Sequence, residues 1–222
     1  MLPKISIILP VYNVDLWLDE TVQSIQAQSL QEWEAIFVID GSPDKSKQIL
    51  QRYAAVDHRI KIIEQENYGQ GAARDHGVEH AQGDYLFFLD PDDLIPPKAL
   101  DLAYERALTT SADIIVGDYI EFKDGGNPSS MQQGASRDFQ RYFSQYGDDI
   151  FYRKNITDNN FFYHSLYFMV VWMKLFKRET WLKNGIKAPV GLTMGEDFMT
   201  VKKMLLLNSS IATVDAILIY YR

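Results

Sequence analysis

No cysteine occurs in this 222-residue chain. Disulfides, thiolate nucleophiles and cysteine-ligated zinc are therefore excluded. Histidine is scarce, with only His58, His76, His80 and His164. His76 and His80 are spaced to share a helix face. Gly77 rather than glutamate follows His76, so the HExxH frame is absent and two solvated histidines are expected. Positive charge is in the minority, and the net charge is −8. A large basic face for nucleic acid is not expected, because that affinity rests on Lys and Arg against phosphates. The acidity still permits an anionic ligand, since a metal ion can supply positive charge locally. Long hydrophobic runs are also missing. The most apolar stretch, Phe161–Met173, contains His164 and Ser165 and falls short of the about 20 residues that span a bilayer. It reads as a buried segment, with peripheral membrane contact as the alternative. Ile5–Leu9 is too short for the apolar region of a secretory signal and ends at Pro10. A cytoplasmic location is expected, at the inner face of the membrane if such contact forms.

What remains is an ordinary globular composition, 46% apolar and 23% charged. The length suits one substantial domain. Apolar runs alternate with helical periodicity through the first half. Lys4–Tyr12, Glu34–Asp40, Ile60–Glu64, Tyr85–Leu89 and Asp113–Val116 read as strands. Asp15–Gln28, Lys45–Val56, Gln70–Ala81 and Pro97–Leu108 read as helices, the last with proline in its first turn. This alternation predicts an α/β fold with a mostly parallel sheet covered on both faces. After Phe122 the pattern weakens, and Lys123–Gln133 reads as a loop. Order returns at Val170–Phe176. A helix is expected from Gly195-Glu196-Asp197 to about Leu207, then one or two strands over Ile211–Tyr221. The end at Arg222, directly after an apolar strand, is the expectation for a domain cut from a longer protein.

In parallel sheets ligands bind at the carboxyl ends of strands, where several polar motifs fall. Asp90-Pro91-Asp92-Asp93 follows a wholly apolar strand. Crowded carboxylates repel unless solvated or sharing a cation, and Mg²⁺ or Mn²⁺ takes carboxylate oxygens readily. A solvated turn is the alternative. Asp40, before Gly41-Ser42, can accept an imide proton from a pyrimidine, or it can simply close a strand-to-helix turn with Asp44 as cap. Gly69 and Gly71 open a helix that can approach an anion. Arg74 in that helix either reaches a ligand or pairs with Asp75 or Glu79. Asp197, in a helix first turn, either serves as a general base kept ionised by the helix dipole or only stabilises the helix.

Taken in order, Ser6–Asn13, Val38–Asp44, Asn67-x-Gly69, Ala73-Arg74-Asp75-x-Gly77 and Leu89–Asp93 closely resemble family 2 glycosyltransferases with the GT-A fold. Lys174–Arg178 and Gly195-Glu196-Asp197 resemble later blocks of that family. The resemblance implies one GT-A domain over 1–222, a Rossmann-like sheet with a smaller C-terminal acceptor-side portion. Residues 1–120 would form the nucleotide-sugar half and 121–222 the acceptor half. It implies an inverting, metal-dependent transferase that moves a hexose or N-acetylhexosamine from a UDP-sugar. The acceptor would be a saccharide or lipid-linked saccharide in cell-surface polysaccharide synthesis. By the same resemblance Pro10 and Tyr12 would contact the base, Asp40 would bind uracil, and Arg74 would contact base or diphosphate. Asp90 would reach ribose or metal, Asp92 would be the main Mn²⁺ or Mg²⁺ ligand, and Asp197 would be the base. Two positions depart from the family pattern. Ile39 stands where many relatives have a second Asp, and Asp75 stands where Asn is usual. A C-terminal histidine ligand, used by some relatives, would fall beyond Arg222. Two other classes stay open: a sugar-phosphate nucleotidyltransferase, and a non-catalytic nucleotide- or saccharide-binding module. The first normally carries a Gly-rich loop where this chain has Pro10–Asn13.

Overall fold

The computed structural model describes residues 2–123, 151–152, 170–189, 192, 195–207 and 209–222. The strands are β1 (Ile5–Val11), β2 (Trp33–Asp40), β3 (Ile60–Gln65), β4 (Tyr85–Phe88), β5 (Ile114–Glu121), β6 (Phe151–Tyr152), β7 (Lys174–Lys177) and β8 (Ser210–Tyr221). The helices are α1 (Leu18–Gln26), α2 (Ser46–Ala54), α3 (Gln70–His80), α4 (Ala99–Thr110), α5 (Arg178–Lys183) and α6 (Glu196–Leu206). The strands form one sheet in the order β3-β2-β1-β4-β7-β5-β8-β6. β1, β2, β3 and β4 run parallel, β7 is antiparallel to β4 and β5, and β8 is parallel to β5. β6 pairs antiparallel with β8. The expected mostly parallel sheet is present.

Side-chain alternation explains why the central strands look uniformly apolar. Every residue of β1 and β2 is buried. Ile5, Ile7, Leu9 and Val11 enter one core with Ala35, Phe37 and Ile39, while Ile8, Ile36 and Val38 enter the other. Each strand therefore feeds two faces, as parallel strands covered on both sides must. The first face is covered by α1, α2 and α4 through Leu18, Val22, Ile25, Leu50, Leu100 and Ala103. The second is covered by α3, α5 and α6 through Ala73, Val78, Trp181, Val201, Met204 and Leu205. α3 lies close because its buried face is small. A Cβ on Gly77 would stand 2.5 Å from Ile8 Cγ2.

Some expectations need correction. α4 starts at Ala99, not Pro97. Pro97 lies before it and accepts the Ser29 N–H at 2.8 Å, while Ala99 N–H turns back to the Pro96 carbonyl at 2.9 Å. β5 runs on to Glu121 because β8 supplies a partner that far, across two register shifts. α5 was not anticipated from the sequence. All but Lys123 of the predicted loop at 123–133, and most of the apolar stretch 161–173, lie outside the described residues. Within the described residues, no helix is long and apolar enough to cross a membrane.

Candidate active site

Strand order reverses between β1 and β4, which opens a crevice at their carboxyl ends. β4 pairs with β1 only as far as Ile8–Phe88. Pro10 lies beyond that pairing, so its missing N–H costs no ladder bond to β4. Tyr12 follows at the strand end and is 50% exposed. The loop after β1 is tied to the loop after β2. Asn13 N–H donates to Ser42 Oγ at 2.8 Å, and Asp15 N–H donates to Asp44 Oδ2 at 2.8 Å. Asp44 also accepts from Ser42, from Ser46 N–H and from the Ser46 hydroxyl. These donors outweigh partial burial and lower its carboxyl to about 2. Asp44 thus caps the start of α2, as one sequence reading held, and joins the two loops.

Asp40 ends β2 and is buried. Its Oδ1 accepts from Gln65 Nε2 and Tyr68 N–H, each at 2.8 Å, and its Oδ2 accepts Gly69 N–H at 2.9 Å. This carboxylate shapes the turn that leads into α3. Gly41 beside it has φ 64, and a Cβ there would stand 2.9 Å from Asn67 N. Glycine is needed for both reasons. Gln65 passes the order on to His76, whose Nδ1 lies 2.8 Å from Gln65 Oε1. His80 Nδ1 lies 3.0 Å from the His76 carbonyl. His76 is half-buried rather than freely solvated.

Asp90 and Arg74 meet at the crevice. Arg74 is buried, with Nη2 2.8 Å from Asp90 Oδ1 and Nη1 3.0 Å from Glu196 Oε1. The pairings with Asp75 or Glu79 considered from the sequence do not form. Glu79 pairs with Lys187 at 3.0 Å, and both Asp75 oxygens accept the Ala188 N–H. Burial pushes Asp75 up to about 6. Gln70 Nε2 adds a second donor to Asp90 Oδ1 at 3.0 Å.

The acidic loop is held from behind. Thr21 Oγ1 on α1 donates toward the Pro91 and Asp93 carbonyls at 2.9 and 3.0 Å. Leu94 bridges antiparallel to Tyr220 of β8. Arg222 N–H donates to Asp93 Oδ1 at 2.9 Å, and Arg222 Nε donates to the Asp92 carbonyl at 2.7 Å. Asp93 is buried, and burial with repulsion from Asp90 pushes its carboxyl up to about 8. Asp92 stays half-exposed at the loop tip. Among the described residues no group of three or more Asp, Glu or His converges as a complete metal cage. Asp90 and Asp92 supply two carboxylates in one loop. That fits a Mg²⁺- or Mn²⁺-type ion, which keeps several waters and is completed by substrate phosphates.

Asp197 lies in the first turn of α6, after Gly195 at φ 80. Its Oδ1 accepts the Phe198 N–H at 2.7 Å. The helix terminus was expected to hold it ionised. Its carboxyl is raised above the ordinary value, first by burial and then by Glu196 and Asp90, against the Phe198 bond and Arg74. Lys174 on β7 is fully buried, and Nζ donates to the Val170 carbonyl at 2.8 Å. Burial pulls its ammonium down to about 7, and the Asp197 carboxylate opposes that shift. Sequence reading assigned no role to Glu196, Gln70, Thr21 or Gln65, and it offered Lys174 only as part of a peripheral membrane contact, which its full burial rules out. Glu196 stood inside a quoted motif, and a buried Arg74 would have pointed to it.

The model of "Glycosyl transferase family 2" matches residues 6–181. The chain belongs to glycosyl transferase family 2. The match takes in the motifs from Ser6 to Asp93 and ends before α6. The family 2 chain is 32% identical over 228 residues to glycosyltransferase GlyA of Streptococcus pneumoniae serotype 4, covering 99% of this chain and 30% of GlyA. It is 31% identical over 199 residues to the uncharacterized glycosyltransferase EpsJ of Bacillus subtilis, covering 89% of this chain and 54% of EpsJ. It therefore spans well under two thirds of either relative. Among solved structures, S. aureus TarS 1–349 in complex with UDP-GlcNAc superposes with a TM-score of 0.76 at 23% identity, over 98% of this chain and 58% of that one. That likeness establishes the GT-A fold.

Proposed function

We propose that this chain is the catalytic domain of an inverting, metal-dependent glycosyltransferase. It moves a hexose or N-acetylhexosamine from a UDP-sugar to a saccharide or lipid-linked saccharide acceptor in bacterial cell-surface polysaccharide synthesis. Residues 1–120 form its nucleotide-sugar half and 121–222 its acceptor half. The carrying observation is one convergence: Asp90, Arg74 and the first turn of α6 meet where β1 and β4 part. Family membership and the UDP-GlcNAc complex of TarS support this reading.

Pro10 and Tyr12 take the base side, and Asp40 both orders the following turn and faces the uracil. Asp92 is the main ligand of a Mn²⁺ or Mg²⁺ ion, with Asp90 on the ribose side of it. When bound, such an ion offsets the charge of the leaving diphosphate. The acceptor hydroxyl oxygen attacks the anomeric carbon as the bond from that carbon to the phosphate oxygen breaks. The electron pair leaves with UDP, and the hydroxyl proton passes to Asp197. The raised carboxyl of Asp197 suits proton acceptance near neutral pH better than an ordinary aspartate would. The work takes place in the cytoplasm, at the membrane face when the acceptor is lipid-linked.

Thermal unfolding with UDP and Mn²⁺ tests the binding half of this reading, because a ligand that binds only the folded state raises its melting temperature. Asp92→Asn should remove that metal-dependent rise and Asp197→Asn should keep it. Both should lower turnover of a UDP-sugar by at least about 100-fold. The acid limb of turnover should lie above pH 3.8, the ordinary Asp value. Full activity in Asp197→Asn would remove it as the base, and pyrophosphate release from a nucleoside triphosphate would favour a nucleotidyltransferase.

A further inference from the structure

Glu196 touches neither end of the proposed reaction, yet it is the residue through which the two ends meet. It is buried in the first turn of α6, and its carbonyl accepts the Thr200 hydroxyl at 2.6 Å. Its side chain turns inward to Arg74, while the next residue, Asp197, is half-buried. Arg74 in turn grips Asp90, at the start of the acidic loop. One guanidinium thus spans from the donor-side loop to the helix that carries the candidate base.

The backbone is shaped for this contact. Gly71 of α3 faces α6, and a Cβ on it would stand 3.1 Å from Glu196 Cγ and 2.9 Å from Ala188 Cβ. A side chain at position 71 would press on Ala188 and on the Glu196 side chain. The guanidinium is planar and forked, so binding two carboxylates at once fixes their relative direction. Asp197 shares a helical turn with Glu196, so its position follows from that fork.

We propose that Glu196 is a positioning residue for the transfer: through Arg74 it sets Asp197 at a fixed place relative to the Asp90–Asp92 loop. The inference rests on the glycosyltransferase reading. It adds that base placement is set by a contact across the crevice and not by α6 alone. Glu196 holds no substrate. Its loss leaves Arg74 held on Asp90 and misplaces the base. A misplacement of this kind costs turnover far more than affinity.

The test measures steady-state turnover of a UDP-sugar with Mn²⁺, together with the dissociation constant of UDP·Mn²⁺, in the full chain. Glu196→Ala should lower kcat by about 100-fold and change UDP affinity by less than about threefold. Glu196→Gln keeps an oxygen for Arg74 and loses the charge, so it should recover about tenfold of that loss. Gly71→Ala removes no polar group and pushes the helix starts apart, so it should show the same split between kcat and affinity. It also stands in if Glu196→Ala does not fold. Glu196→Ala or Gly71→Ala with wild-type kcat would overturn the proposal, as would equal losses of kcat and UDP affinity. If Asp197→Asn is inactive while Glu196→Ala matches the wild type, only the positioning role fails. If the wild-type chain binds no UDP and turns over no UDP-sugar, the transferase reading itself fails.

Discussion

The two sides of the crevice are built differently. On one side, the loops after β1 and β2 are laced by short contacts among neighbours. Asn13 to Ser42 and Asp15 to Asp44 join turns that already lie side by side because their strands pair. On the other side, α6 packs into the core through Val201, Met204 and Leu205, and its first turn is tied by Glu196 to Arg74, 122 positions earlier in the chain. Local order therefore supports the loops after β1 and β2, whereas the first turn of α6, which carries the candidate base, is joined to the acidic loop by a long-range ion pair. A site of this kind can lose catalysis while keeping its ligand.

The largest blow to that comparison comes from Arg74→Ala. It leaves the buried Glu196 without a charged partner and the half-buried Asp90 with only Gln70. Urea unfolding should show a loss of about 3–5 kcal/mol, the range for breaking a buried pair from one side. A loss under about 1 kcal/mol would mean that the bridge does little to join the two sides.

Asp44→Asn breaks the donor side alone and should cost less. The folded carboxyl titrates at about 2 against an ordinary 3.8. A lowered pKa stabilises the fold above the unfolded value, and that contribution is lost as pH falls from 3.8 through about 2. At pH 7 the variant should be weaker by about 1–2 kcal/mol after solvent screening, with the gap closing in acid. UDP affinity should fall with it, since the loop after β1 carries Tyr12.

Asp75→Asn should act with the opposite sign and the smallest size. The folded carboxyl is raised from 3.8 to about 6, so the fold binds its proton more tightly than the unfolded chain does. Stability then falls as pH rises from 3.8 to about 6, and the full cost is present above that. Asparagine avoids the cost and can still accept the Ala188 N–H. Thermal melts at pH 7 should show a gain of about 1 kcal/mol that disappears near pH 4. A loss at pH 7 would mean that the ionised form is the one that holds the 188 segment.

The strands were legible because both faces of a central parallel strand are buried, which forces runs such as Ile5–Val11 and Tyr85–Phe88. Helix edges were less so. Pro97 is suited to a first turn, but its carbonyl is taken by Ser29, and α4 waits until Ala99. The acidic motif could be read as a string of residues. What pins it behind, Thr21, Tyr220 and Arg222, could not, because those partners come from α1 and from the far end of the chain. Asp197 was expected to feel a helix terminus. The Phe198 N–H does lower its carboxyl, but burial and the nearby Glu196 and Asp90 raise it on balance, and neither the burial nor the approach of Asp90 is visible along the chain.

By itself the sequence determined the alternation of strand and helix, the family, and the list of carboxylates worth testing. These follow from periodicity and from motif order, which are properties of neighbours. Only the tertiary structure decided which carboxylate takes Arg74, that Glu196 is bound to it while Asp197 is left half-exposed, and that Asp75 and Asp44 titrate in opposite directions. The physical reason is shared. Burial and ion pairing depend on distance in space, and folding brings together groups that the chain keeps far apart.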